Sequence, residues 1–199
     1  MLYIMEFEEY TTDTKLDDIT PHDTTQTNNI IEPIYNITNT ILQSTTWVTL
    51  YNLKFLVVHY KNPYLYISLT VSDDNLDVSY TPDQSKIQSA IDYLDKFYNQ
   101  NEELMFGKIY NISNIGSIEL KHMHMFAMFL KSIATKTDKQ VYASAIIIKN
   151  NILISILNTF LVLYNNSRPI KIVNNIKDAK LFIKNEMIYY QTHGKLNSI

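Results

Sequence analysis

From Trp47 to Glu186 the chain switches repeatedly between two hydrophobic periods, and this alternation restricts the fold more than any other feature. A period near two places side chains on alternate faces of a strand, whereas a period near 3.6 builds one apolar helix face. "WVTLYNLKFLVVHY" and "YLYISLTV" are β-branched and aromatic runs separated by Lys61-Asn62-Pro63, which predicts a hairpin. In "TPDQSKIQSAIDYLDKFYNQ" the period becomes helical, with Thr81 as N-cap, Pro82 at the first helical position and Gln84 completing a capping box. Ile87, Ala90, Ile91, Leu94, Phe97 and Tyr98 form its apolar face.

The alternation continues with strand "LMFGKIYNI", helix "SIELKHMHMFAMFLKSIA", strand "VYASAIII" and helix "NILISILNTFLVLY". It closes with strand "PIKIV" and helix "NIKDAKLFIKNEM", opened by Asn175 with Asp178 in its first turn. Strands separated by helix-length segments imply βαβ units and right-handed crossovers. "VYASAIII" is nearly unbroken in apolar residues, as a strand covered on both faces should be. The expectation is a single α/β domain over residues 47–187, with a mixed, largely parallel sheet, an N-terminal hairpin and four helices.

Residues 1–46 read differently. "TTDTKLDDITPHDTTQTNN" offers too little apolar area to offset its ordering entropy, so a polar, flexible or extended N-terminal arm is expected. Its apolar beads, "NIIEPIYNITNTIL", are suited to docking on the domain itself or on a partner. A short strand at Leu2–Phe7 is a further expectation. Residues 188–199 form a frayed or loosely docked tail.

Composition narrows the function classes. The net charge is -3 and Arg168 is the sole arginine, so no nucleic-acid footprint is expected. Cysteine is absent, which removes disulfides, zinc thiolates and cysteine nucleophiles and favours a cytoplasmic, intracellular setting. Lysine almost fully replaces arginine, and Asn and Ile abound, as in an AT-rich genome. "ASAIIIKNNILISILNTFLVLY" is cut by Lys149, Asn150 and Asn151 into pieces below the ~20 residues that a membrane span needs, so no span is expected.

The stretch "FGKIYNISNIGSIELKHMHMFAMFLKS" places a small polar elbow between a buried strand and a helix. Ser117 is suited to cap that helix, and Gly116 permits the tight turn before it. The order hairpin, helix, strand, helix, strand, helix, strand, helix resembles the STAS domain, in its SpoIIAA-like branch. "GKIYNISNIGSIELKHMHMFAMFLKS" and "SAIIIKNNILISILNTFLVLYNNSRPIKIVNNIKDAKLFI" carry the resemblance, over roughly residues 47–186. In that family, the fold of anti-sigma factor antagonists, the corresponding turn often reads Asp-Ser-Ser-Gly and a serine in it is phosphorylated by a partner kinase. The matching elbow is Asn114-Ile115-Gly116-Ser117, with Ser113 just upstream. The Asp is missing and a glycine precedes the serine. The resemblance implies a non-enzymatic interaction or regulatory module. Ser113, Asn114, Ser117, Glu119 and Lys121 would then be the partner-contacting or phospho-switch residues.

Other groupings read as structural. His122 and His124 stand two apart on a helical pattern and so point about 200° from each other, which does not make a metal site. Met123, Met125 and Met128, with Phe126 and Phe129, suit core filling, although Met-rich faces also form adaptable surfaces. Asp73, Asp74 and Asp77 lack the glycine and terminal glutamate of a calcium loop. Glu102 and Glu103 suit a solvated connection. Lys171, Lys177, Lys180 and Lys184 disperse charge around the last helix. No phosphate loop or nucleophile elbow is present, so the reading is of a protein that is not an enzyme, with no cofactor and no metal. A protein partner is expected, and a homo-oligomer would also suit the chain. Two alternatives stand beside this reading. One is a structural or assembly component, including a virion protein of a large DNA virus. The other is a small-ligand or lipid-binding domain.

Overall fold

The computed structural model describes residues 32–53, 56–69, 84–113, 128, 131–132, 138–149, 154, 157 and 168–194. Among the described residues six strands form one sheet: β1 (Val48–Leu53), β2 (Leu56–Lys61), β3 (Tyr64–Leu69), β4 (Phe106–Asn111), β5 (Val141–Ile147) and β6 (Ile170–Val173). They lie side by side in chain order. β1, β2 and β3 are antiparallel neighbours, and β3 to β6 run parallel. The mixed α/β architecture with a largely parallel half is therefore present. The expected hairpin is present, β2 and β3 pairing antiparallel across the turn at Asn62 and Pro63, and β1 extends it to a three-stranded meander. "WVTLYNLKFLVVHY" folds back on itself, Leu53 pairing with Leu56, so one β-rich run supplies two strands. Lys54 and Phe55 interrupt no apolar pattern and carry no turn signal, which is why the sequence reads as one strand.

Among the described residues, the continuous helices are α1 (Asn39–Leu42), α2 (Gln84–Gln100) and α3 (Ile176–His193). Met128, Lys131 and Ser132 between β4 and β5, and Ile154 and Leu157 between β5 and β6, are also helical. All four regions where the pattern predicts a helix thus carry helical residues. Thr81 to Asp83, the expected start of the first long helix, and Leu2–Phe7 lie outside the described residues.

The sheet is buried on both faces. On the first, α2 lays Ala90, Tyr93, Leu94, Phe97 and Tyr98 against strand residues, and Ile87 is also buried. The predicted helix face is right except that Tyr93 is buried and Ile91 only half so. Leu50, Leu56, Val58, Tyr60, Leu65, Ile67, Phe106 and Ile146 complete this layer. On the second face, Tyr66, Ile109, Ala143, Ala145, Ile147 and Val173 meet Ala179 and Ile183 of α3. Each such fully buried aliphatic or aromatic side chain stabilises the fold by roughly 1.5–3 kcal/mol.

Residues 34–42 belong to this packing, so the expected boundary at 46/47 runs through the folded unit rather than in front of it. Ile37 is buried, and Ile34, Tyr35, Ile41 and Leu42 pack against the first layer. The Ile34 amide donates to the Leu50 carbonyl (2.7 Å), and the Tyr93 hydroxyl donates to the Ile34 carbonyl (2.8 Å). Asn101, just after α2, holds the segment from the other side. Its Oδ1 accepts from the Ile37 amide (2.8 Å) and its Nδ2 donates to the carbonyls of Tyr35 and Phe97 (2.7 Å each). Tyr93 needs a neighbour for its phenol, and the arm supplies it; a helix pattern read in isolation cannot show this.

The other boundary also moves. Asn175 caps α3 as expected, accepting from the Asp178 amide (2.9 Å). The helix then runs past residue 187 to His193, and Gly194 ends it in the left-handed conformation (φ 62°). Tyr190 meets Tyr142 edge-on (5.5 Å between ring centroids), so this part of the supposed tail is docked.

The approach of α3 to β4 depends on Gly107. A Cβ there would overlap Cγ2 of Ile183. Gly107→Ala should therefore lower stability by about 1–3 kcal/mol through overpacking. In an Ile183→Ala background the same change should cost much less, as a double-mutant cycle in urea would record; simple additivity would mean that the two positions do not collide. Alkali offers a second check. Burial pushes the Tyr60 phenol up to about 12, with Tyr142 adding to the rise. A phenol kept neutral by the fold contributes stability that is complete below the ordinary value near 10 and is lost as pH climbs through the raised one. Melting temperature should fall between about pH 10 and 12, and Tyr60→Phe should flatten that fall.

Candidate functional site

The elbow begins where β4 ends. All six residues of β4 are buried, including Asn111 at its C-terminus. A buried carboxamide must find partners, and this one finds three. Its Oδ1 accepts from the backbone amide of Ser113 (3.1 Å) and from the Ser113 hydroxyl (2.6 Å). Its Nδ2 donates to the Tyr66 hydroxyl (2.7 Å) on the neighbouring strand. The bond to the amide two residues on is the local turn that Asn favours, and it sets the direction in which the chain leaves the sheet.

Tyr66 extends this chain across the sheet. In register it faces His59 on β2, and His59 faces Thr49 on β1. The Thr49 hydroxyl lies 3.1 Å from His59 Nδ1, and the His59 and Tyr66 rings are 6.1 Å apart. Trp47 stands edge-on to Tyr66 at 5.8 Å, with Lys180 Nζ 5.3 Å above the indole. The second face of the sheet is thus divided: aliphatic under α3, polar and aromatic toward β1. Burial raises the Tyr66 phenol above its ordinary value, while Asn111 and Ser68 pull it the other way.

Of the residues expected to form the partner surface, Ser113 is described and is half-buried in this chain of hydrogen bonds. Asn114, Ser117, Glu119 and Lys121 lie outside the described residues, as do His122, His124, Asp73, Asp74 and Asp77. Met128 is exposed. Glu102 and Glu103 are exposed in a turn, as expected. Asn111, Tyr66, His59 and Thr49 were not foreseen. One signal was available: the only carboxamide within the apolar run "FGKIYNI" had to satisfy its amide somewhere. The register that supplies Tyr66 is a tertiary fact.

Chemically, Asn111 holds and orients. A carboxamide does not ionise at neutral pH and so is neither general acid nor general base; its bonds to Ser113 and Tyr66 fix geometry without activating either hydroxyl. Among the described residues no group of three His, Cys, Asp or Glu side chains is arranged to hold a metal ion. No described helix is long and apolar enough to cross a membrane. Among the described residues the strand order does not reverse.

No protein-family model matches the sequence, and no curated protein matches it. Among solved structures, an uncharacterised protein of the DUF3478 family from Shewanella loihica PV-4, described as having a SpoIIAA-like fold, is similar. Identity is 10%, the TM-score is 0.44, and the match covers 71% of this chain and 98% of that one.

The Asn111 chain makes a measurable claim. Asn111→Ala leaves Ser113 and Tyr66 short of a partner and should cost about 1–3 kcal/mol. Tyr66→Phe in that background should recover part of the loss, because it removes the stranded hydroxyl. Chemical denaturation of the four proteins in the cycle checks this; strictly additive costs would mean that the two side chains are not coupled.

Proposed function

We propose that the chain is a non-enzymatic, STAS-like protein-interaction module whose partner surface is the elbow and first helical turn over residues 113–121. One observation carries the reading: the residue that opens the elbow is anchored from within, Ser113 being tied through Asn111 to Tyr66. A serine fixed in this way presents one geometry to a partner and keeps little conformational entropy to lose on binding. It also offers a route for regulation. A phosphate on the Ser113 oxygen would remove the O–H that donates to Asn111 and would place up to two negative charges beside the strand end. Ser117, Glu119 and Lys121 would then extend the surface along the helix, with Ser117 as its cap.

The test is affinity capture of the wild-type chain, Ser113→Asp and Ser117→Asp from the native cell, with bound proteins read by mass spectrometry and folding checked by thermal melting. A partner held by the wild type, and lost at least about tenfold by either folded variant, is the expected result. Recovery of only further copies of the chain, unaffected by both substitutions, would overturn it and favour an assembly component.

A further inference from the structure

The outer ridge of α3 carries a pattern that the packing of the domain does not use. Among the described residues the large apolar side chains left exposed are Met128, Leu181 and Ile188, and the last two lie on this helix. Leu181 is 58% and Ile188 48% exposed. Lys177, Leu181, Lys184 and Ile188 stand at i, i+4, i+7 and i+11, so they share one stripe, and all four are exposed. The other side of the helix turns Ala179 and Ile183 into the core. The stripe thus alternates cation and apolar side chain over about 16 Å, at 1.5 Å per residue. Its complement is a short segment that combines apolar side chains with carboxylates.

The chain itself contains such a segment. Residues 1–31 precede Glu32, the first described residue. They hold seven of the 20 acidic residues and one of the 17 basic ones, a net -6, which leaves +3 on residues 32–199 of a chain whose total is -3. Within them, "LYIMEFEE" (Leu2–Glu9) joins Leu2, Ile4, Met5 and Phe7 to Glu6, Glu8 and Glu9. The stripe is within its reach. Ile34 is fixed beside β1 by its bond to Leu50, and α3 packs on β4 and β5, roughly 15–20 Å across the sheet at the usual strand spacing. Residues 10–31 can span roughly 70 Å when extended.

We propose that residues 2–9 dock on the Lys177–Leu181–Lys184–Ile188 stripe of the same chain as an acidic strap. Ile4, Met5 and Phe7 cover Leu181 and Ile188, while Glu6, Glu8 and Glu9 lie beside Lys177 and Lys184. Charge favours this occupant over a second copy of α3, whose own stripe would set lysines against lysines. Exposed ion pairs contribute little each and are screened by salt, so the strap is a reversible cover that a partner can displace.

Cysteine is absent from the chain, so one substitution places a nitroxide at a chosen point. The first label goes on Asn185→Cys, exposed beside the stripe, in the nitrogen-15-enriched full-length chain. Amide signals of Leu2–Glu9 should be lost to paramagnetic broadening and return when the nitroxide is reduced. The same label on Gln88→Cys, exposed on α2 across the sheet, should leave them intact. Adding Leu181→Asp or Lys184→Glu to the Asn185-labelled chain should restore the signals, since substitutions at such exposed positions leave the fold in place. Salt at about 0.5 M should restore them in part. A mixture of spin-labelled, unenriched chain with enriched, unlabelled chain should show no broadening. Intact signals beside the Asn185 label, equal broadening from both label positions, or broadening unchanged by both added substitutions would each overturn the strap. Broadening that is as strong in the mixture would overturn it too, by placing the segment on a second copy.

Discussion

Every residue of β4 is buried, and most of the architecture follows from the need to cover both of its faces. A strand this enclosed requires a layer above and a layer below. α2 provides one with a continuous aromatic and aliphatic stripe. α3 provides the other, and it comes close enough to do so because Gly107 has no side chain where Ile183 lies. Neighbouring strands share the constraint: Ala143 and Ala145 keep β5 thin under α3, while Leu65 and Ile67 meet α2 on the opposite side.

Covering the sheet creates a second demand, for hydrogen bonds at the ends of its elements. The C-terminal end of α2 is managed by side chains that imitate backbone. Asn101 bonds to the chain at Tyr35, Ile37 and Phe97. The Gln140 amide donates to the carbonyls of Tyr98 (2.9 Å) and Asn101 (2.8 Å). Residues 34–37 are thereby part of the domain. Stacking of Tyr51 on Tyr93 at 4.1 Å, with Tyr35 alongside, seals the same corner. The shift in the β1–β2 register between Thr49 and Tyr51 accompanies this arrangement, since Leu50 and Tyr51 both pack against the α2 layer.

The buried polar residues are products of the same enclosure. Asn111 sits at the end of a buried strand and so must turn its amide inward, and this couples the elbow to Tyr66. Lys108 lies inside the α2 layer, where two aromatic rings receive its charge without accepting its protons. How much of this could be read beforehand differs from residue to residue. Ser113 stands out in the sequence because a strand pattern stops beside it. Asn111 and Lys108 are visible as polar interruptions of an apolar run, but an interruption does not reveal which side chain answers it. His59 and Thr49 carry no local signal, because their pairing is set by the register of β1 on β2.

What the sequence by itself determined is the class of the protein: alternating periods of two and 3.6 leave little besides an α/β sheet with helical crossovers, and Asn175 marks the start of the last helix through its own side chain. These are local properties, carried by propensity and by bonds between residues a few positions apart. Only the tertiary structure decided that "WVTLYNLKFLVVHY" is two strands, that the arm from Ile34 onward is core, that α3 reaches His193, and that Tyr66, Asn111 and Ser113 meet. In each case the deciding contact joins residues distant along the chain or pairs strands in a particular register. Periodicity tells which face of an element is apolar; it does not tell which other surface will cover that face.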